Sequence, residues 1–362
     1  GRAIGRGVKL EELAADSPLR AVGVREGDTV LQAGGQAVSN LRELQETLAA
    51  GEPSSVPVHL RVYRLEFFHE FELRREQMAS GPTPLGIVRW SRGRDQRAAG
   101  FYGHYTTYAE VLQLIGSLAL GLFVARRRKL TWPGALLAVA TAGIAAALLL
   151  TVTRASWLSF LISSGVIVLI GMASRKALVV VALAAALLVP AGLYVLQQKR
   201  QVGFFDRRDN SITWRETVYR EGFELLITKP RHLLVGVGMD SLKRRWREWG
   251  MFDGGRLPVG HLHSTPLQIA FERGVPALLT WLALLFLYAR MLWRLTQRVG
   301  ALDWTERGIA LGALGGAVGF FTSGLVHYNL GDSEVAMVFY LIMGLALALE
   351  RFARTVPRTE IT

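Results

Sequence analysis

The pattern of hydrophobic and polar positions changes sharply near residue 106. Residues 1–106 carry frequent charges and no long apolar run, whereas long uncharged stretches dominate from Thr107 onward. A membrane-spanning helix needs about 20 mostly apolar residues. Seven stretches meet this need, near residues 107–125, 132–152, 155–173, 177–197, 276–293, 308–328 and 335–353. The pattern predicts a polytopic α-helical membrane protein with about seven spans and a polar N-terminal region.

The connections between these stretches predict an orientation. Four of them are basic, namely ARRRK from Ala125, SRK from Ser174, residues 290–307 and the tail after Arg351. Short basic connections favour the cytoplasmic side. The opposite side then receives Thr153-Arg154, the long loop 198–275, the string HYNLGDSE from His327 and the N-terminal region. We therefore expect these segments to be extracytoplasmic.

The N-terminal region has the pattern of a small α+β module. Turns at Ser17-Pro18 and Gly27-Asp28, a strand at Thr29–Ala33, a helix at Leu41–Ala49 and the strand-like VPVHLRVYR fit such a module. The predicted domains are the module at 1–78, a basic linker or interfacial segment at 79–106 and a membrane domain at 107–354. That membrane domain includes the loop 198–275.

The string SPLRAVGVREGDTVLQAGGQAV resembles a PDZ domain of the bacterial protease-associated type. This resemblance implies capture of a peptide C-terminus by strand addition, with the loop Gly5-Arg6-Gly7-Val8 holding the carboxylate. A docking module with a degenerate groove is the open alternative. A protease is disfavoured, because HEFEL at His69 lacks the second histidine of HExxH and no GxSxG string is present.

Composition and net charge indicate which chemical classes of partner the protein could bind. The net charge of +13 favours an anionic partner, either nucleic acid or anionic lipid and phosphate, and the apolar spans favour the second. Loop 198–275 is itself basic, with 14 Lys and Arg against 9 Asp and Glu. Contact with membrane lipid headgroups and binding of an anionic ligand both remain open for this loop. The absence of cysteine excludes disulfides and thiolate metal sites. Because the sequence begins at Gly1 without an initiator Met or a signal peptide, we expect a piece of a longer protein.

Two capping-box patterns place helices in the polar loop. Thr213 to Glu216 predicts the start of a helix that ends before Pro230, with Arg215 and Tyr219 on one face. Arginine at a helix N-terminus suits an anion site, because free amides and a guanidinium converge there. A solvated arginine on an amphipathic helix is the alternative.

The string GHLHSTPLQ predicts a second helix start, with Thr265 and Gln268 as the capping box. His263 lies just before this helix. The helix dipole disfavours a charged imidazole there, so His263 is expected to be neutral and able to accept a proton. His261 and His263 could instead bind a metal, but no further ligand cluster stands at a supporting spacing, so metal is the disfavoured alternative.

Several strings together resemble the O-antigen ligase and polymerase family of bacterial membrane glycosyltransferases. They are GFYGHYTTYAEVL, TRASW at Thr153, RETVYREGFELLITKPRHLLVGVG, HSTPLQIAFERGVPA and HYNLGDSEV. The chain has Tyr219 where the family usually has Trp, and Ala277 departs from the pattern that His263, Ser264 and Gly274 fit. The family has about a dozen spans, so we expect further spans upstream.

The family resemblance implies an inverting, metal-independent transferase in the bacterial inner membrane. Its donor would be a glycan on undecaprenyl pyrophosphate, its acceptor a hydroxyl of a glycan or of lipid A-core, and no cofactor is implied. His263 is the candidate base, and Arg154 and Arg215 are candidates for binding pyrophosphate. His104, Tyr219, His261 and Asp332 are second-tier candidates. Three functions remain open: a ligase, a polymerase, and a noncatalytic scaffold whose PDZ-like module recruits an envelope partner.

Overall fold

The structure is a computed structural model, and it describes residues 7–49, 57–64, 67–78, 84–93, 97–172, 210–257, 259–298 and 302–355. The chain forms two compact units, Gly1–Gln96 and Arg97–Thr362. The predicted fourth span, at 177–197, lies outside the described residues.

The first unit is an antiparallel sheet with two short helices. Its strands are β1 (Val8–Leu13), β2 (Thr29–Ala33), β3 (Gln36–Ala37), β4 (Val58–Arg64), β5 (Phe67–Leu73) and β6 (Ile87–Arg92), and its helices are α1 (Pro18–Ala21) and α2 (Leu41–Ala49). The strand order is β5-β4-β2-β1-β6, with β3 paired to β2. Alternate residues of β1, Val8 and Leu10, point into the buried core. The predicted strand at 29–33 and helix at 41–49 are confirmed with these bounds.

Strand β6 corrects the boundary predicted for this unit. It lies within the segment 79–106 that the sequence assigned to a linker, yet it pairs antiparallel with β1 over most of its length. The sequence pattern did not predict this strand because IVRWSR is short and half polar, whereas its pairing with a neighbouring strand supplies the hydrogen bonds that hold it. A boundary at residue 78 is therefore too early, and the compact unit runs to Gln96.

The second unit contains five helices that are long and apolar enough to cross a membrane, among the residues that the structure describes. They are α3 (Tyr105–Ala125), α4 (Trp132–Leu150), α5 (Arg154–Gly171), α10 (Val275–Thr296) and α12 (Ser333–Thr355, with its apolar part ending at Ala353). Between α5 and α10 lie α6 (Asn210–Thr228), α7 (Pro230–Val235), α8 (Ser241–Arg245) and α9 (Thr265–Arg273). The prediction of seven spans is not confirmed.

Helix α11 (Trp304–Gly324) accounts for one of the predicted spans that is not among these five helices. The sequence predicted a span near 308–328, but the many glycines of this helix, together with Glu306 and Arg307, lower its apolarity below that of the five. It packs against α3, α5, α10 and α12, so it lies at the centre of the described bundle. A Cβ at Gly312 would collide with the backbone of α3 at Leu118, so glycine permits this close approach.

The helix ends sort onto two sides of the bundle. At one end, the Arg126 guanidinium lies 4.6 Å from the ring centroid of Trp304 at the start of α11, and Arg298 pairs with Glu350 at 3.4 Å. At the other end, the backbone N–H of Ala98 donates to the carbonyl of Leu150. The starts of α3, α5, α10 and α12 therefore share one end with the last residues of α4 and α11. We call it the site end.

Candidate functional site

The turn that carries the two histidines precedes α9 and has an unusual backbone. His263 adopts a left-handed conformation with φ of 46°, which disfavours residues with a Cβ. The N-cap of α9 is Ser264, whose hydroxyl accepts from the N–H of Leu267. The predicted cap, Thr265, is thus wrong by one residue. Its hydroxyl instead donates to Asn329 Oδ1 at 2.8 Å, an interaction that sequence spacing cannot reveal.

Aromatic rings enclose the imidazole of His263. Its ring centroid lies 4.7 Å from that of Trp214, edge on, and 4.1 Å from that of His261. The hydroxyl of Tyr219 donates to the carbonyl of His263 at 2.7 Å. The backbone N–H of His263 donates to Nδ1 of His261 at 3.2 Å. The turn is therefore fixed from two sides, by α6 and by its own neighbouring histidine.

The pKa of His263 is lowered well below that of an ordinary histidine. Burial is the main cause, because it disfavours the imidazolium, and the electrostatic interactions with His261 and Arg215 act in the same direction, followed by those with His327 and His104. The imidazole is therefore neutral at neutral pH, as the sequence predicted. The largest cause is enclosure by the surrounding protein, which was not part of that prediction.

Helix α6 brings Arg215 and Tyr219 to this turn. The helix already includes Asn210, so the predicted start at Thr213 is wrong and Thr213 lies inside the helix. Residues 213–216 have the sequence pattern of a capping box, but the helix begins before them. Arg215 and Tyr219 nevertheless lie one turn apart. Burial raises the pKa of Tyr219 to about 12, so its hydroxyl remains a hydrogen-bond donor.

Thr107 connects His104 and Asp332 at the site end. Thr107 donates to a carboxylate oxygen of Asp332 and lies 3.4 Å from Nδ1 of His104. Burial raises the pKa of Asp332 to about 6, and Thr107 partly opposes this shift. These residues join the beginning of α3 to the beginning of α12, so two second-tier candidates belong to one hydrogen-bonded group.

Arg154 is the first residue of α5, at the site end. The chain enters this helix through Val152, which also has a left-handed backbone with φ of 54°. Such conformations cost about 1–3 kcal/mol and persist where surrounding structure imposes them, often at functional sites. Arg154 thus follows a turn with a strained residue, Val152, and His263 is itself a strained residue in a turn.

The structure adds Glu110 and His327, which the sequence analysis did not propose as site residues. Glu110 in α3 is 3% exposed, and its Oε1 accepts from Ser323 Oγ at 2.7 Å and from His327 Nδ1 at 2.9 Å. A carboxylate inside an apolar span is itself a signal of function. The sequence analysis passed over Glu110 because it lies within a single apolar run.

Metal ligation has no ready site in the parts of the chain that the structure describes. No group of three or more His, Asp or Glu side chains converges there in a way that could hold an ion. Nδ1 of His261 is occupied by the backbone N–H of His263. The two histidines alone provide fewer ligands than protein zinc sites use.

A family model described as O-antigen ligase matches residues 140–282, which is less than half of the chain. The matched stretch contains Arg154, Arg215 and His263, whereas Glu110 and His327 lie outside it. A search of curated proteins finds no match. The similarity to the O-antigen ligase family supports a role in glycan transfer at a bacterial membrane during polysaccharide assembly.

Proposed function

We propose that the chain is the catalytic part of an inverting glycosyltransferase of the O-antigen ligase type. It would transfer a glycan from undecaprenyl pyrophosphate to a hydroxyl of an acceptor sugar, such as one in lipid A-core. The observation that carries the proposal is the neutral, enclosed imidazole of His263 beside Arg215 at the start of α9. An O-antigen or exopolysaccharide polymerase uses the same chemistry and is the second candidate.

The reaction balances with these residues. The acceptor oxygen forms a bond to the anomeric carbon as the bond between that carbon and the phosphate oxygen breaks. The hydroxyl proton passes to the imidazole of His263, and the electron pair leaves with the pyrophosphate. General base catalysis of this kind contributes roughly 10²–10⁴-fold in rate. Arg154 and Arg215 would stabilise the leaving pyrophosphate, since guanidinium groups bind phosphate oxygens in a bidentate manner.

The lowered pKa of His263 couples its basicity to the donor. In the free protein, burial and nearby positive charges keep its affinity for a proton low. A bound pyrophosphate brings negative charge beside these groups, and this charge raises the pKa of a neighbouring imidazole. His263 would then become an effective base only when the donor is in place. Such coupling limits loss of the donor to other nucleophiles.

The substitution His263→Ala tests the base. Transfer of labelled glycan from undecaprenyl pyrophosphate to its acceptor, measured in membranes, is expected to fall at least about 100-fold. The amount of folded protein in detergent should remain near that of the wild type, and a chelator should leave wild-type transfer unchanged. Substantial turnover by His263→Ala would contradict the assignment. Activity lost to a chelator and restored by a divalent ion would favour the metal alternative.

The substitutions Arg215→Lys and Arg154→Lys test the pyrophosphate site. Both keep a positive charge but lose the planar guanidinium, so transfer should fall at least about tenfold, since a bidentate site discriminates strongly between the two groups. Arg220→Lys is the matched control, because Arg220 lies on the same helix and is exposed. Equal activity in all three variants would contradict the proposal that Arg154 and Arg215 bind pyrophosphate.

For the first unit we propose peptide docking that tunes or localises transfer. Of the predicted carboxylate loop, Gly5 and Arg6 lie outside the described residues. Val8 already pairs with Val30 on one side and Arg92 on the other. The outer strand β6 therefore suits strand addition better than β1. Deletion of residues 7–93 should leave residual transfer in membranes; complete loss with normal insertion would contradict a tuning role.

A further inference from the structure

The carboxylate of Glu110 and the imidazole of His327 form a buried pair next to the candidate site, and neither has a role in the proposed reaction. Glu110 is 3% exposed and His327 7% exposed. Nδ1 of His327 lies 2.9 Å from Glu110 Oε1. A charged group placed in an apolar span is costly unless a partner satisfies it. An apolar residue at position 110 would avoid this cost, so the pair calls for an explanation beyond stability.

The contact fixes how the imidazole is oriented. A carboxylate only accepts hydrogen bonds, so Nδ1 of His327 must carry the proton that it donates to Glu110. In the neutral ring the lone pair then belongs to Nε2, on the side away from Glu110. Glu110 thus sets the tautomer of His327.

The main chain of His327 reaches the turn that carries His263. Its carbonyl accepts from the backbone N–H of Thr265 at 3.0 Å and from the Thr265 hydroxyl at 3.1 Å. The same hydroxyl donates to Asn329 Oδ1, and Asn329 donates to the carbonyl of Phe320 in α11. His327 therefore connects α3 on one side with the start of α9 on the other. His327 is also one of the groups that lower the pKa of His263.

We propose that Glu110 is a positioning residue that acts through His327 to hold the His263 turn, and with it the base, in the orientation needed for transfer. The inference rests on the proposed function of His263. Neither residue is required to touch the substrate. Loss of the Glu110 carboxylate should therefore slow the chemical step while leaving binding of the lipid-linked donor nearly unchanged.

The first test is steady-state transfer by Glu110→Gln, which keeps the size of the side chain and its acceptor oxygen but removes the charge. We expect kcat to fall about tenfold or more with KM within about twofold of the wild type, as expected when an interaction is used only in the transition state. Glu110→Asp keeps the charge and should recover part of kcat. The control is Ser117→Ala, which removes a buried hydrogen bond between α3 and α5 away from this pair and should leave kcat per folded protein unchanged.

A double-mutant cycle separates positioning from a structural role. If Glu110 acts through His327, Glu110→Gln combined with His327→Gln should have the kcat of His327→Gln alone. Losses in kcat that simply add, or a normal kcat in Glu110→Gln with only a lowered melting temperature, would overturn the inference. His263→Ala is measured in parallel. If it is inactive while Glu110→Gln is normal, only this inference fails; if it is active, the proposed function fails.

Discussion

At the residue scale, the site depends on how neighbouring charges act on one imidazole. His263 is surrounded by groups that each disfavour its protonation, above all burial and then His261 and Arg215. A base with a strongly lowered pKa is weak when the donor is absent. The negative donor is the one component of the proposed reaction that reverses this effect, so binding and chemistry are linked through the same residue.

This linkage predicts a difference between two pH profiles. The acid limb of kcat/KM reports the free enzyme, and His263 there should titrate well below the ordinary value of about 6.5. The value of kcat/KM should therefore persist as the pH falls through 6.5 and be lost only when His263 of the free enzyme becomes protonated. The acid limb of kcat reports the complex and should lie at higher pH, because the bound pyrophosphate raises the pKa of His263.

Asp332 must be separated from this effect, since burial raises its pKa to about 6. Measuring both profiles again in Asp332→Asn removes this carboxyl. A limb that disappears in the variant belongs to Asp332, and one that remains belongs to another group. Identical acid limbs for kcat and kcat/KM, in both proteins, would contradict linkage between donor binding and the basicity of His263.

At the element scale, the contact between α3 and α11 holds the two sides of the candidate site together. α3 carries Glu110 and Thr107, and the chain leaving α11 carries His327. Small residues let the two backbones approach, with Gly121 of α3 facing Gly312 of α11. In a membrane such contacts gain stability from packing, because apolar side chains gain little by leaving lipid.

The substitution Gly312→Ala tests this contact. Its Cβ would lie within 3 Å of the α3 backbone at Leu118, so the helices must separate. Overpacking of this kind costs about 1–3 kcal/mol, and a lower melting temperature in detergent should accompany reduced transfer. Gly143→Ala, in α4, is the control because its Cβ meets open space. Equal melting temperatures for the two variants would count against a tight α3–α11 contact.

At the scale of the whole molecule, charge is distributed unequally between the two ends of the bundle. Arg126, Arg298 and Arg307 lie at the end opposite the candidate site, close to the beginning of α11 and the last residues of α10. Basic residues in short connections favour the cytoplasm. The site end is thereby proposed to face the extracytoplasmic side, where the polar loop and a lipid-linked donor could meet.

Reporter fusions test this orientation. A phosphatase that is active only outside the cytoplasm should be active when fused after residue 330 and inactive when fused after residue 128. A cytoplasmic reporter at the same positions should give the opposite result and serves as the internal control. The reversed pattern would place the His263 turn in the cytoplasm and remove the proposed donor from its reach.

The sequence alone determined the features that depend on local pattern. Apolar stretches predicted the five described helices that are long and apolar enough to cross a membrane, since burial in lipid requires a continuous apolar surface. Turn and strand signals predicted β2 and α2, and one-turn spacing placed Arg215 and Tyr219 together. Local pattern also misplaced both helix caps, because Thr265 has a stronger partner in Asn329 and Thr213 lies within a longer helix.

Only the tertiary structure decided which distant groups share the site. Glu110 and His327 are 217 positions apart in the chain, yet they form one buried pair. Strand β6 likewise became visible through its pairing with β1. The pKa of His263 depends on its burial, to which Trp214 contributes, and on three groups from other segments, Arg215, His327 and His104. Burial and electrostatic fields arise from neighbours in space, so no local pattern along the chain could specify them.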